Sequence, residues 1–299
     1  LAPPLLISGW VPASTITAYI GVDGTIQVSG TTVTNASKPA VMNVNEAARG
    51  YLFDELTMDE TYRIIVVAQN ALGASVQQIV KTTYTPTAVA VYGQGGDFTT
   101  SVVNNGGISE KSLFWPVSIA INDNGVYIAD SRNYRVLYYA GNSTEASLVY
   151  GQGGSFSTAN NNNGGISASS MSQPYSVAIY AGDVYITDPN NHRLLNFKWD
   201  STTATRVYGQ GGDFTTQALN YPSLAESGLY APYSVTVSAS GVYLVDKLNH
   251  RVLYYEGTST TATRVYGQGG SFNTNTANKG GSVSTATLNN PSGVAVDER

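Results

Sequence analysis

The stretch VYGQGG stands at residues 91–96 and returns at 149–154, 207–212 and 265–270. Its tyrosines fall at Tyr92, Tyr150, Tyr208 and Tyr266, one constant step of 58 residues. A glycine-rich stretch can cradle a phosphate or punctuate a repeated unit, and the spacing favours punctuation. Phosphate loops occur once, between a strand and a helix, whereas here four copies close four runs of β pattern and no helical period follows. The glycines are expected to release an outer strand into the crossing to the next unit, where positive φ is useful.

On the same step Pro116, Pro174 and Pro232 are in register, with Pro291 one residue late. After each proline comes an alternating run, VSIAI (117–121), YSVAI (175–179), YSVTV (233–237) and SGVAV (292–296), and period-two patterning of β-branched residues predicts a strand. Ile119 and Ile121, Val177 and Ile179, Val235 and Val237, or Val294 and Val296 share one face. Ser118 and Ala120, Ser176 and Ala178, Ser234 and Thr236, or Gly293 and Ala295 share the other, which suits sheets stacked like slices. A second strand is read at 125–130, 183–188 and 241–246, a third at 135–139, 193–197 and 251–255, and a fourth in ASLVYGQ or ATRVYGQ. Four short antiparallel strands per repeat is the pattern of a propeller blade.

These residues resemble the NHL repeat, whose modules form β-propellers, commonly of six blades. The resemblance covers residues 88–299 and rests most on Asp188, Asn191, His192 and Arg193, matched by Asp246, Asn249, His250 and Arg251. Asp130, Asn133 and Arg135 repeat the motif with Tyr134 in place of histidine. A structural role is expected for the whole motif: Asp and Asn bonding their own turn, and Arg spanning to a carboxylate or carbonyl of the neighbouring blade. From Tyr92 to Arg299 there are 208 residues, about 3.6 repeats, fewer than the four blades a propeller needs to close. The expectation is an incomplete propeller, with a fourth-type strand in AVAVYGQ (88–94) at one end and a lone first-type strand at 292–296 at the other. If the six blades implied by the resemblance apply, about 140 further residues are needed.

Antiparallel order places the second-to-third turns and the blade-to-blade crossings on one face. The crossings run to about twenty residues, longer than ordinary loops, and are rich in Asn, Gly, Ser and Thr. Leu113, Met171, Leu229 and Leu288 are read as their anchors, with Phe98, Phe156, Phe214 and Phe272 as a second set. The expectation is therefore of ordered flaps.

Residues 1–86 lack the repeat. There LTMDETYRIIVVAQNALGAS (56–75) resembles the late strands of a fibronectin type III domain, with Tyr62 at the tyrosine-corner position. QQIVKTTYT (77–85) would be its last strand, and Trp10, Pro12 and Tyr19 resemble an early core strand. The middle, GTIQVSGTTVTNASKPAVMN, matches less well. The fold expected is thus all-β: a fibronectin type III-like β-sandwich over 1–86, then an NHL-like propeller of four-stranded blades over 87–299. Pro86 and Thr87 join them without a flexible linker.

Charged residues make up only 12% of the chain, against about 25% in a typical soluble domain, so uncharged side chains carry most of the polar surface. A net charge of −5 with no basic run argues against nucleic acid, and no apolar window is long enough for a membrane helix. The absence of cysteine excludes disulfides and thiolate metal sites. Asn35 and Asn142 begin the sequons Asn35-Ala36-Ser37 and Asn142-Ser143-Thr144, candidates for N-glycosylation.

No catalytic constellation is found. Lyases and lactonases among six-bladed propellers use metal or acid groups at the central channel, where the assigned residues here are Ser118, Ala120, Ser176, Ala178, Ser234 and Thr236. Asp123 and Asp297 lack partners at metal-site spacing, and two histidines cannot make a three-histidine zinc site. No cofactor is expected. The resemblance to a sandwich module joined to an NHL-like propeller, taken with low charge, abundant Thr, Asn and Tyr, and the sequons, implies an extracellular or cell-surface structural or adhesive protein, bound to protein partners or to itself, within a filament or surface layer. A carbohydrate- or protein-recognition module is the alternative, and a propeller enzyme with its site elsewhere the third reading.

Overall fold

The computed structural model describes residues 88–297 in full and, before them, the backbone of six strands. The chain divides into two compact units, 1–89 and 90–299. In the first, β1 (Thr15–Val22), β4 (Lys38–Met42), β5 (Thr61–Asn70) and β6 (Gly73–Thr82) form one antiparallel sheet in the order β4-β1-β5-β6. A separate ribbon pairs β2 (Gln27–Ser29) with β3 (Thr32–Thr34), in the segment whose sequence matched a sandwich least well. The strand expected from Tyr62 is β5. The last strand begins at Gly73 rather than at residue 77, because the hairpin ladder already pairs Asn70 with Gly73. Trp10, Pro12, Asn35, Pro86 and Thr87 lie outside the described residues.

The second unit holds three four-stranded antiparallel sheets, each a meander in chain order. The first comprises β7 (Pro116–Asn122), β8 (Gly125–Asp130), β9 (Arg135–Ala140) and β10 (Leu148–Gly151). Next come β11 (Val177–Tyr180), β12 (Asp183–Asp188), β13 (Arg193–Lys198) and β14 (Arg206–Tyr208), then β15 (Pro232–Ser238), β16 (Gly241–Asp246), β17 (Arg251–Glu256) and β18 (Arg264–Gly267). Two expected strands are not formed among the described residues. Residues 88–94 and 292–296 carry the right alternation but bond to no described strand, and a strand exists only as part of a ladder.

Strand alternation divides each sheet's side chains between two neighbours. From β8 and β9, Tyr127, Ala129, Val136 and Tyr138 enter a core with Val177, Val184, Ile186, Leu195 and Phe197 of the second sheet. Val126, Ile128, Leu137 and Tyr139 point to the opposite side, where Tyr92 packs on Tyr139 at 4.8 Å between ring centroids. The same aromatic step recurs between sheets, Tyr150 on Phe197 at 5.2 Å and Tyr208 on Tyr255 at 5.0 Å. Each such pair adds about 1 kcal/mol to the area it buries.

First strands also touch. The Val177 N–H donates to Ser118 Oγ at 3.2 Å and the Val235 N–H to Ser176 Oγ at 3.3 Å. These serines, assigned from sequence to a channel wall, are therefore occupied in joining one sheet to the next. On β7 the predicted apolar face is open, with Ile119 56% and Ile121 68% exposed, whereas the equivalent Val177 and Val235 are buried. Among the described residues no helix is long and apolar enough to cross a membrane.

Candidate functional site

The face carrying the second-to-third turns is built on one repeated polar cluster. In the second sheet β12 ends at Asp188, a single 3₁₀ turn follows, and β13 begins at Arg193. Asp188 Oδ2 accepts from Arg193 Nε at 2.9 Å and from Asn191 Nδ2 at 2.7 Å, while Oδ1 accepts the Ser172 N–H at 2.8 Å. The rest of the guanidinium donates to two carbonyls, Phe214 O from Nη1 at 2.6 Å and Ser170 O from Nη2 at 2.9 Å. Asn191 and Asn162 exchange amide hydrogen bonds of 2.7 and 3.1 Å. Arg135 with Asp130 and Asn133, and Arg251 with Asp246 and Asn249, repeat the arrangement, and all three ion pairs are fully buried. Burial pushes each of these carboxyls up from the usual carboxylate range, and the guanidinium, amide and backbone donors oppose it.

Of the two partners expected for the arginine beyond its own sheet, the structure shows carbonyls and not a carboxylate. The carboxylate it bonds belongs to its own sheet, because Asp and Arg face each other as the last pair of one hairpin ladder, Asp188 with Arg193. The aspartate bonds the Asn191 side chain of its own turn rather than the turn's backbone, and its other oxygen reaches the N–H of a residue sixteen positions earlier, in the preceding crossing. The arginine thus clamps two crossings at once: the one before its sheet through Ser170, and the one after it through Phe214.

The crossings are anchored at the expected aliphatic positions. Leu113, Met171 and Leu229 are buried, and Leu288 is half-buried. Of the phenylalanines, Phe98 departs from the expectation at 56% exposed, whereas Phe156, Phe214 and Phe272 are half-buried against the cores and their carbonyls accept from the arginines. The sequence reading missed the glutamine of VYGQGG. Gln210 is fully buried at φ 55°, and its Nε2 donates to Ala218 O at 2.7 Å and His192 O at 3.3 Å, pinning the crossing's start to the preceding turn. Its constancy in all four copies was the available signal.

The two histidines are structural. His192 Nδ1 accepts the Ala231 N–H at 3.2 Å and His250 Nδ1 accepts the Asn290 N–H at 3.0 Å, each at a left-handed φ of 53°. Burial lowers the His192 pKa from 6.5, and accepting at Nδ1 requires the neutral ring. The folded state then binds fewer protons than the unfolded chain in the window below pH 6.5, so stability is complete above that pH and falls as pH drops through the window. His192→Tyr, which installs the residue of Tyr134, should flatten this acid limb in thermal unfolding between pH 7 and 5. A limb unchanged by the substitution would remove His192 as its source.

Above the shared cluster the repeats diverge. The residues before the register prolines, Trp115, Gln173 and Ala231, all have φ between 50 and 59° and stand beside the second-to-third turns. In the first sheet Trp115, 59% exposed, lies under the Arg132 guanidinium at 4.8 Å. In the second, Asn190 Nδ2 donates to Gln173 Oε1 at 3.1 Å. In the third, Leu248 is exposed and its N–H bonds Tyr230 O at 3.2 Å. Nearby, Tyr175 and Tyr233 stack at 3.8 Å, and Lys247 Nζ lies 3.6 Å from the centre of the Tyr233 ring. Asn142 is exposed in the turn between β9 and β10, on the opposite face. Among the described residues no group of three or more His, Asp or Glu could hold a metal ion.

All-β architecture in repeated four-stranded antiparallel sheets, consistent with a propeller-like fold, is the class these observations define. No family model matches the chain, and no curated protein matches it. Among solved structures it is similar to the "Crystal structure of Nidogen/Laminin Complex", with 11% identity and a TM-score of 0.34 over 78% of this chain and 68% of that one. It is also similar to a "putative 6-phosphogluconolactonase" from Bacteroides uniformis, with 10% identity and a TM-score of 0.31 over 84% of this chain and 68% of that one.

Proposed function

We propose that the chain is an interaction scaffold: an NHL-like propeller unit, preceded by a fibronectin type III-like domain, in an extracellular or cell-surface structural or adhesive protein. One observation carries this reading. The repeated Asp, Asn and Arg side chains are buried and spent on clamping the crossings, which favours a rigid display surface. What that surface displays differs between copies. The first crossing exposes Phe98, Val102 and Val103 and the third exposes Leu219 and Tyr221, while the middle one exposes only Gly, Ser and Asn. Apolar side chains gathered on a rigid surface serve contact with another macromolecule.

On this reading the purified protein self-associates as concentration rises, measured by light scattering, and Leu219→Asp with Tyr221→Ser lowers the association constant at least tenfold. A monomer at all accessible concentrations would sink the adhesive role. The alternative, a recognition module, is favoured by the exposed side chains around Trp115 and Gln173.

A further inference from the structure

We propose that the side chains beside the first strands, Trp115 with Arg132, Gln173 with Asn190, and Lys247 with Tyr233 and Tyr175, form a binding site for an acidic polysaccharide. The proposal rests on reading the crossing face as a contact surface, but not on self-association. It begins from a contrast within the molecule. Beneath the surface the three copies of Asp, Asn and Arg are the same residues in the same bonds. Directly above them, at positions related by the same repeat, stand a cation with an indole, a pair of amides, and an alanine with a leucine.

The chemistry of the differing positions is specific. Arg132 and Lys247 are cations laid on aromatic faces, and neither is among the ion pairs the described residues make. In a chain of net charge −5, two such cations on one face favour an anion, which can recruit them without first breaking a salt bridge. Trp115 offers an exposed ring of the kind on which the C–H face of a sugar stacks, and the Gln173–Asn190 pair offers donors and acceptors of the kind that read hydroxyls. Carboxylate, apolar ring face and hydroxyls occur together in a uronic-acid polymer. An acidic peptide would use the cations but give no reason for the indole and the amide pair.

The first strands beside these residues are linked from sheet to sheet by the Ser118 and Ser176 hydrogen bonds, and Tyr175 of the second sheet stacks on Tyr233 of the third. Rigidity comes from below, since Phe114, Ser172 and Tyr230, each one residue before Trp115, Gln173 and Ala231, donate their N–H to the buried aspartates. Where Arg132 and Lys247 bind without reorganisation of the backbone, little ordering entropy opposes the ligand.

The test uses the whole chain with immobilised polygalacturonate, dextran and poly-L-glutamate. Binding is expected to polygalacturonate alone, weakened at least fivefold by Trp115→Ala and by Lys247→Ala, and weakened further as salt is raised. Both side chains lie at the surface, and unchanged unfolding midpoints would certify the fold of the variants. No binding to polygalacturonate, binding of equal strength to polyglutamate, or binding indifferent to both substitutions would each overturn the proposal. Loss of glycan binding with concentration-dependent association intact would remove this site and leave the scaffold; glycan binding by a strictly monomeric protein would do the reverse.

Discussion

Arg193→Ala is expected to lower the thermal unfolding midpoint by about 10 °C, the largest effect of any single side chain in the repeat unit. The substitution leaves Asp188 buried with its charge uncompensated and strips the donors from Phe214 O and Ser170 O, releasing two crossings together. Breaking a buried pair from one side costs about 3–5 kcal/mol, and in a unit of this size each kcal/mol moves the midpoint by about 2–4 °C. The companion variant Asp188→Asn with Arg193→Met removes both charges and keeps an oxygen for the Ser172 N–H. It should recover at least half of the loss, because the uncompensated charge is the dominant cost. A single variant within about 2 °C of the parent would mean that water reaches the cluster and that the clamp does not stabilise the crossings.

Gly209→Ala is expected to cost about 3 kcal/mol or more, at the upper end for a strained backbone position. Its φ of 82° and ψ of −175° belong to a region that only glycine enters readily. An added Cβ would also meet His192 O and Leu229 Cδ1, each at 2.9 Å, so the strand end cannot relax outward without leaving the preceding turn or lifting the crossing's anchor. Gly153→Ala is the control. That glycine has φ 59° and ψ 25° with nothing within 4 Å of the added carbon, and its replacement should cost about 1 kcal/mol. Equal losses for the two, measured by denaturant midpoint, would show that the close approach at Gly209 is absorbed by small shifts and that positive φ alone fixes the glycine.

The repeat made much of this legible. Strands β8, β12 and β16 run from the residues read for them to their aspartates, because alternation of buried side chains on both faces and a fixed turn after Asp leave little freedom. The first strands were less legible. β11 begins at Val177 rather than Tyr175, since the Ser176 N–H turns to Thr187 Oγ1 while the Tyr175 N–H and Ser176 O both bond the backbone of Thr187, which breaks the regular register there. Residues 88–94 and 292–296 have the composition of strands, and composition cannot say whether a partner lies alongside.

The candidate site divides in the same way. That Asp188, Asn191 and Arg193 belong together followed from their recurrence at 130, 133 and 135 and at 246, 249 and 251. Their partners did not, because Phe214 O and Ser170 O are backbone atoms 21 and 23 residues away, and carbonyls leave no mark in a sequence. Trp115, Gln173 and Ala231 differ from copy to copy and carry no motif; only the fold places them beside Arg132, Asn190 and Leu248.

By itself, then, the sequence determined the period, the four strands of each unit, the face shared by turns and crossings, and the glycines at the strand ends. These depend on neighbours within a few residues or on exact repetition, which a linear string records. Tertiary structure decided which carbonyls the arginines bind, which serines join one sheet to the next, and which two cations rest on aromatic rings. Those depend on distances between residues far apart in the chain, set only when the sheets pack face to face.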